Sequence, residues 1–392
     1  MRHTPNSKRG FTLLELMISA TLGLIVIGGA VSLFTQALKA TWMTSEKGEL
    51  QQDFRAAASL MQRDISMAGA GSLGQQGMST SAVGLPSGTG IKPVYPCSST
   101  ACNYVNGTSV AYPATSGAPY IYSIIPGPSL GIIVPGSGAG PTDILTINSA
   151  DISLALNCYT AAIDPTGTVV TFQLPAGPPW PSTCILPTGV AAPQPLNAAV
   201  VGLQAGDVIL FGTNAMGVVT SAVTTCAPTG TNTACYSVTF AATDVGKVNQ
   251  PSATTGSLFQ FVATGKPPSS PIPVTAVRLL EITYYLDISP SDGVTPRLMR
   301  LQNGKLPAPV AENVVNLQFT FNVNNNGTIV ANQSTLPAGT TPAMITQVNI
   351  SHMTMRSQLP GGSGYQGLDL QTSISARNLT SQQEYPISGS SY

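Results

Sequence analysis

Residues 13–34, LLELMISATLGLIVIGGAVSLF, form a run of 22 residues in which Glu15 is the only charged side chain. A helix of that length is about 30 Å long, the thickness of a bilayer's hydrocarbon core. A segment apolar on every side must be withdrawn from water, into a membrane or into a protein interior. Arg2, Lys8 and Arg9 precede the run and no acidic residue does. The short N-terminus is therefore expected in the cytoplasm and the rest of the chain across the membrane. A carboxylate at membrane depth costs on the order of a few kcal/mol unless it has a partner. An ordinary signal anchor and a cleaved secretory signal both match the run, but neither explains Glu15 or the basic–Gly–Phe junction before it.

The helical pattern continues past the run. Leu50, Phe54, Ala58, Met61, Ile65 and Ala68 recur at three- and four-residue steps, away from Glu46, Lys47, Glu49, Arg55 and Arg63. No proline occurs between Phe11 and Ala70, and Gly69-Ala70-Gly71 closes the pattern. One helix of nearly 60 residues, about 85 Å long, is expected. Gly28 and Gly29 are its weak points.

The remaining chain is sparing with charge. Only 8% of the 392 residues are Asp, Glu, Lys or Arg, and the formal net charge is zero. No basic surface is available for nucleic acid, so no direct nucleic-acid partner is expected. Between 72 and 275, Pro, Gly, Ser and Thr interrupt short β-type runs: DILTIN (143–148), TVVTFQL (168–174), DVILFG (207–212), GVVTSAV (217–223) and CYSVTFA (235–241). Six cysteines fall there as three near pairs, Cys97 with Cys102, Cys158 with Cys184, and Cys226 with Cys235. In an exported chain such pairs read as disulfides, although spacing alone leaves the connectivity open. No CxxC is present, and His3 and His352 are remote from the cysteines in sequence, so no metal site is expected.

From 276 onward alternation is clear in VRLLEITYYL (277–286), RLMRLQ (297–302), VVNLQFTFNV (314–323), MITQVNISHMTMR (344–356) and LDLQTSISARN (368–378). Val315, Leu317, Phe319, Phe321 and Val323 make one apolar face against Asn316, Gln318, Thr320 and Asn322. Five such runs suggest one antiparallel sheet covered on one face by the N-terminal helix.

Lys8-Arg9-Gly10-Phe11-Thr12-Leu13-Leu14-Glu15-Leu16 resembles the signature of type IV prepilins. That resemblance implies cleavage after Gly10 by a prepilin peptidase and methylation of the new N-terminal Phe11. The helix would then remain as a membrane anchor and later as filament core. It also implies that Glu15 pairs with the N-terminal amine of a neighbouring subunit and so sets the register of assembly. The order EITYYL, RLMRL, ENVVNLQFTF, ITQVNISHMTMR and SISARN is similar to PilW-type minor pilins and, more distantly, to J-type minor pseudopilins of type II secretion.

The implied fold is α+β of the type IV pilin kind, a long helix packed on an antiparallel sheet with a large loop-rich β insertion. Its parts are a leader at 1–10, the helix at 11–70, a disulfide-containing region at 71–275 and a C-terminal sheet at 276–392. By resemblance the partners are other minor and major pilins, the peptidase–methyltransferase and the inner membrane. The head would lie outside the membrane and later at the cell surface, in a complex that primes pilus assembly near the tip. A type II secretion pseudopilin and a tip adhesin acting through residues 72–275 are the alternatives, and an anchored hydrolase is a distant third.

No catalytic constellation stands out, so no enzyme and no cofactor are expected. His352, in a strand register with Val348 and Ile350, reads as a structural histidine. DISPSDG (287–293) has two Asp and a Gly without the spacing of an EF-hand loop and reads as a turn. Trp180, framed by prolines in PAGPPWPS, reads as a loop-packing residue.

Overall fold

The computed structural model describes residues 12–70 and 122–376, apart from 152, 183, 187, 213–214, 245–248, 250–257, 260–261, 263–274, 304–306, 326 and 359–363. The chain divides into two compact units, Met1–Gln52 with Arg356–Gly367, and Asp53–Met355 with Leu368–Tyr392. A single unbroken helix, α1 (Leu13–Ser66, 54 residues), runs from one into the other, and Gly28 and Gly29 do not interrupt it. It stops because Gly69 adopts φ 70, where a side chain would be strained, and gives its N–H to Asn148 O at 2.9 Å.

In the first unit the Ser357 hydroxyl donates to Glu46 Oε2 at 2.6 Å, and the Arg356 guanidinium lies 4.3 Å from the centre of the Tyr365 ring. Leu50 is its buried helix residue.

In the second unit Phe54, Ala57, Met61, Asp64 and Ile65 form the buried face of α1, and Ala68 is buried just beyond its end. The expected stripe held Ala58; Ala57 takes that place, and Ala58 is half-buried. The steps 54, 57, 61 and 65 follow 3.6 residues per turn more closely than a strict four-residue row does.

Among the described residues the strands form three antiparallel sheets. The first contains β1 (Ile124–Gly127), β2 (Ile144–Asp151), β5 (Val208–Phe211), β6 (Ala215–Val218), β9 (Ala276–Ile288), β10 (Pro296–Gln302) and β11 (Ala308–Glu312). Its path is β1-β2-β9-β10-β11, with β5 pairing the start of β9 and β6 pairing β5. The second has the order β13-β12-β14-β15, with β12 at Val314–Asn325, β13 at Thr328–Gln333, β14 at Ile345–Gln358 and β15 at Tyr365–Ser375. The third is β3-β4-β8-β7, with β3 at Thr160–Ile163, β4 at Val169–Pro175, β7 at Thr224–Thr225 and β8 at Asn232–Thr239.

Two expectations change. The five C-terminal runs do not share one sheet: β9 and β10 join β2 and β5, whereas β12, β14 and β15 form their own. Backbone pairing is non-local, and alternation within a run carries no record of its neighbour. The run at 217–223 also stops being a strand after Val218, because its partner β5 begins at Val208 opposite it. Beyond that point Val219 N–H turns to Asp207 O and Thr220 N–H to Thr239 O.

The first two sheets are fastened at Asp143, just before β2. Its N–H donates to Leu317 O (2.8 Å) while its Oδ2 accepts Phe319 N–H (2.7 Å), so one residue occupies the edge of β12 where β13 no longer pairs. Its Oδ1 accepts Ser129 N–H at 2.7 Å. Leu317, Phe319, Phe321 and Val323 are buried, as alternation requires, and Asn316, Gln318, Thr320 and Asn322 are half-buried on the other face.

The third sheet packs around Phe172, Phe211, Phe240, Tyr159 and Val238. Cys158–Cys184 and Cys226–Cys235 are disulfides at this sheet. Cys97 and Cys102 lie outside the described residues.

Candidate functional site

The first turn of α1 has a particular construction. Thr12 precedes the helix, and its Oγ1 accepts the Glu15 N–H at 3.2 Å. Glu15 reaches back: its Oε2 accepts both the Thr12 N–H and the Thr12 hydroxyl, each at 3.1 Å. This is a reciprocal capping box, which satisfies two donors that a helix start leaves open. It also sets a negative charge at the positive end of the helix dipole. Glu15 therefore has a local partner in Thr12. The Thr-x-x-Glu spacing at 12–15 is the sequence sign of this cap. Gly10 and Phe11, the expected cleavage and methylation positions, lie outside the described residues.

From Leu16 to Leu38 there is no charged residue, about 35 Å of helix. None of this apolar window is buried by the protein, and it is long and apolar enough to cross a membrane. Leu13 is 78% exposed, Ile25 70% and Phe34 64%. In water such exposure would be costly, at roughly 25 cal/mol per Å2 of apolar surface. The threonines within and just after this stretch are compatible with hydrocarbon, because their hydroxyls fold back on the helix's own carbonyls: Thr21 to Met17 O and Ile18 O, Thr35 to Ser32 O, and Thr41 to Ala37 O. Lys39, Trp42 and Lys47 follow, residue types that belong at a membrane–water boundary.

Elsewhere the ionisable groups hold the fold together. Asp64 Oδ2 accepts the Tyr284 hydroxyl and Arg300 Nε–H, both at 2.7 Å, with the Asp64 side chain fully buried. Arg278 binds Asp151, Gly202 O and Val201 O, and lies 3.4 Å from Asp207. Asn303 Nδ2 donates to Asp207 Oδ1 and Leu279 O, and its Oδ1 accepts Glu281 N–H, where β10 ends and β5 takes over beside β9. Burial pushes Glu281 up to about 7, and burial pushes Asp143 up to about 6 against the two backbone N–H groups it accepts.

His352 Nδ1 lies 3.0 Å from Asp369 Oδ2 across β14 and β15, and its side chain is half-exposed. In the 287–293 stretch, Asp292 accepts the Val294 and Thr295 N–H groups and the Thr295 hydroxyl, and these bonds hold its carboxyl down at about 2. Its oxygens close a turn. Trp180 lays its ring over Gly177, where even a Cβ would come within 2.5 Å of it.

Residues 5–31 match the model of the prokaryotic N-terminal methylation motif. No curated protein and no solved structure matches the chain. The motif covers Lys8 and Arg9, the Gly10–Phe11 junction, the capping box and about two thirds of the exposed apolar window. The chain is thus type IV pilin- or pseudopilin-like at its N-terminus, with an α+β body of one long helix and antiparallel sheets.

Proposed function

We propose that the protein is a minor pilin of a type IV pilus that helps to prime filament assembly. The observation that carries this reading is the methylation motif lying flush with an apolar helix that the protein itself leaves unburied. A prepilin peptidase cuts after Gly10 and Phe11 becomes the methylated N-terminus. The helix anchors the head on the outer side of the inner membrane, then packs beside the helices of other pilins. The action is association rather than catalysis. Glu15, held at the helix start by Thr12, is positioned to meet a partner's N-terminal amine, which is cationic near neutral pH.

Mass spectrometry of the purified mature chain tests the processing step: the expected first residue is Phe11 with an added methyl group. An intact Met1, or a cut beyond residue 30, would overturn it. Comparison of piliation with and without the gene tests the role, with loss of surface filaments expected.

A second reading is favoured by the two disulfides at the third sheet, which suit an exposed binding module. On that reading the chain is a tip adhesin. Substitution at the exposed edge of that sheet, Thr224→Lys with Thr225→Lys, would then abolish attachment while leaving piliation normal. A type II secretion pseudopilin shares the N-terminal machinery; restored secretion rather than piliation on complementation would identify it.

A further inference from the structure

A polar row crosses the first sheet. Asn148 of β2 and Glu281 of β9 are directly opposite one another in the ladder, so their side chains leave from the same face. Asn148 N–H donates to Ser123 O, just before β1, and Asn303 N–H, just after β10, donates to Glu281 O, which extends the row on both sides. All four residues are buried, and Glu281 is the most exposed of them at 9%. Tyr284 turns to Asp64 of α1, so by strand alternation Glu281 leaves from the other face of β9.

The members of the row are satisfied to different degrees. Asn303 is fully engaged: its Oδ1 accepts Glu281 N–H, and its Nδ2 donates to Asp207 Oδ1 and Leu279 O. Asn148 gives its Nδ2 to Tyr122 O at 2.7 Å, which turns its amide oxygen the other way. Ser123 Oγ is buried without a hydrogen-bond partner among the described residues. Glu281 is the extreme case. Burial acts on its carboxyl with no donor or cation among the described residues to oppose it, and pushes it up to about 7. Arg278 and Arg300 on β9 and β10 are committed elsewhere, the first to Asp151 and Asp207 and the second to Asp64 on the α1 side. A carboxylate buried on these terms either keeps its proton or takes up a cation.

We propose that Glu281, Asn148 and Ser123 bind one alkali metal cation, sodium or potassium. The donors decide the class. Carboxylate, amide and hydroxyl oxygens are hard ligands, and the row has no thiolate or imidazole for a softer metal. One carboxylate balances one positive charge. Calcium would leave a net charge in the interior, and it normally takes about six to eight oxygens with carboxylates among them. At 9% exposure the carboxylate is within reach of an ion and not of a side chain from another molecule. The bound ion ties the start of β1 to β2 and β9. The site does not depend on the pilin reading.

The test is thermal unfolding of the full-length chain in detergent at pH 8.5, with sodium or potassium chloride replacing choline chloride at constant ionic strength. The midpoint should rise saturably, by about 3 °C at ten times the dissociation constant. At pH 5.5 the rise should vanish, because the carboxyl then holds a proton in place of the ion. Glu281→Gln should unfold at one midpoint in all three salts. Ser123→Ala should keep the wild-type midpoint in choline and raise the half-saturating cation concentration about tenfold. Equal wild-type midpoints in sodium, potassium and choline would overturn the site. So would a rise that Glu281→Gln retains, which is a general salt effect. A rise driven by calcium chloride at lower concentration than either alkali salt, and lost in Glu281→Gln, would overturn the assignment to a monovalent ion.

Discussion

The carboxylate of Asp64, near the end of α1, accepts a 2.7 Å hydrogen bond from the hydroxyl of Tyr284, a residue 220 positions further along the chain. Arg300 completes the group from the neighbouring strand, also at 2.7 Å. A buried charge with two such partners fixes the rotation of the helix on the first sheet, because turning the helix by one residue would take the carboxylate away from both donors.

Asp64→Ala should cost about 3 kcal/mol, since it leaves the Arg300 guanidinium without a counter-charge in a largely buried position. Asp64→Leu combined with Arg300→Leu should recover much of that loss. Urea unfolding of the single and double variants checks this; equal destabilisation in both would show that packing rather than charge pairing governs the site.

Stability should fall as pH rises from about 4.5 to 7. Burial pushes Glu281 up to about 7 from an ordinary 4.5, and Asp143 up to about 6 from an ordinary 3.8. Between those values the folded chain holds more protons than the unfolded one, so raising pH favours unfolding, and above 7 the effect is complete. Asp151 and Asp164 work in the opposite sense. Burial raises both, but bonds from Ser153 and Arg278 in one case, and from Thr166, Val169 and Thr168 in the other, hold them low; their contribution is lost only as pH drops below the ordinary carboxylate range. Glu281→Gln should flatten the upper window and stabilise the chain at pH 7.5 by on the order of 2 kcal/mol. Unfolding midpoints at pH 5.5 and 7.5 measure both effects.

Loss of Cys158–Cys184, which closes a separation of 26 residues, should destabilise the chain more than loss of Cys226–Cys235, which closes 9. The chain-entropy account puts each at about 2–4 kcal/mol, the longer loop giving the larger value. Paired Cys→Ser variants compared by thermal unfolding test the order.

Glu15→Leu should leave export and processing intact and reduce recovery in sheared filaments several-fold. Thr12→Ala removes only the cap and should weaken the helix start by about 1 kcal/mol. Immunoblots of membrane and filament fractions separate the two roles. Equal filament recovery for wild type and Glu15→Leu would mean that the carboxylate has no part in assembly.

Much of the long helix was legible because its causes are local. An uninterrupted apolar run, the absence of proline and a terminal glycine act over a few residues each, and their sum is α1. The Thr12–Glu15 cap was equally local and could have been read from its spacing. Strand segments such as 314–323 also declared themselves by alternation, within a residue or two of β12. Weaker runs did not: β1 contains Pro126 and β11 contains Pro309, and each becomes a strand only because a neighbour supplies its ladder.

What the tertiary structure alone decided was partnership. Nothing near Asp64 in sequence distinguishes it from an exposed helix carboxylate, and nothing in the five C-terminal runs assigns two of them to β2 and β5 and three to a sheet of their own. Nor does the sequence around Asp143 disclose that its side chain stands in for a strand along β12. Hydrogen bonds and ion pairs between distant segments depend on which surfaces meet once water is excluded. Local propensity is blind to that choice, and burial makes it binding.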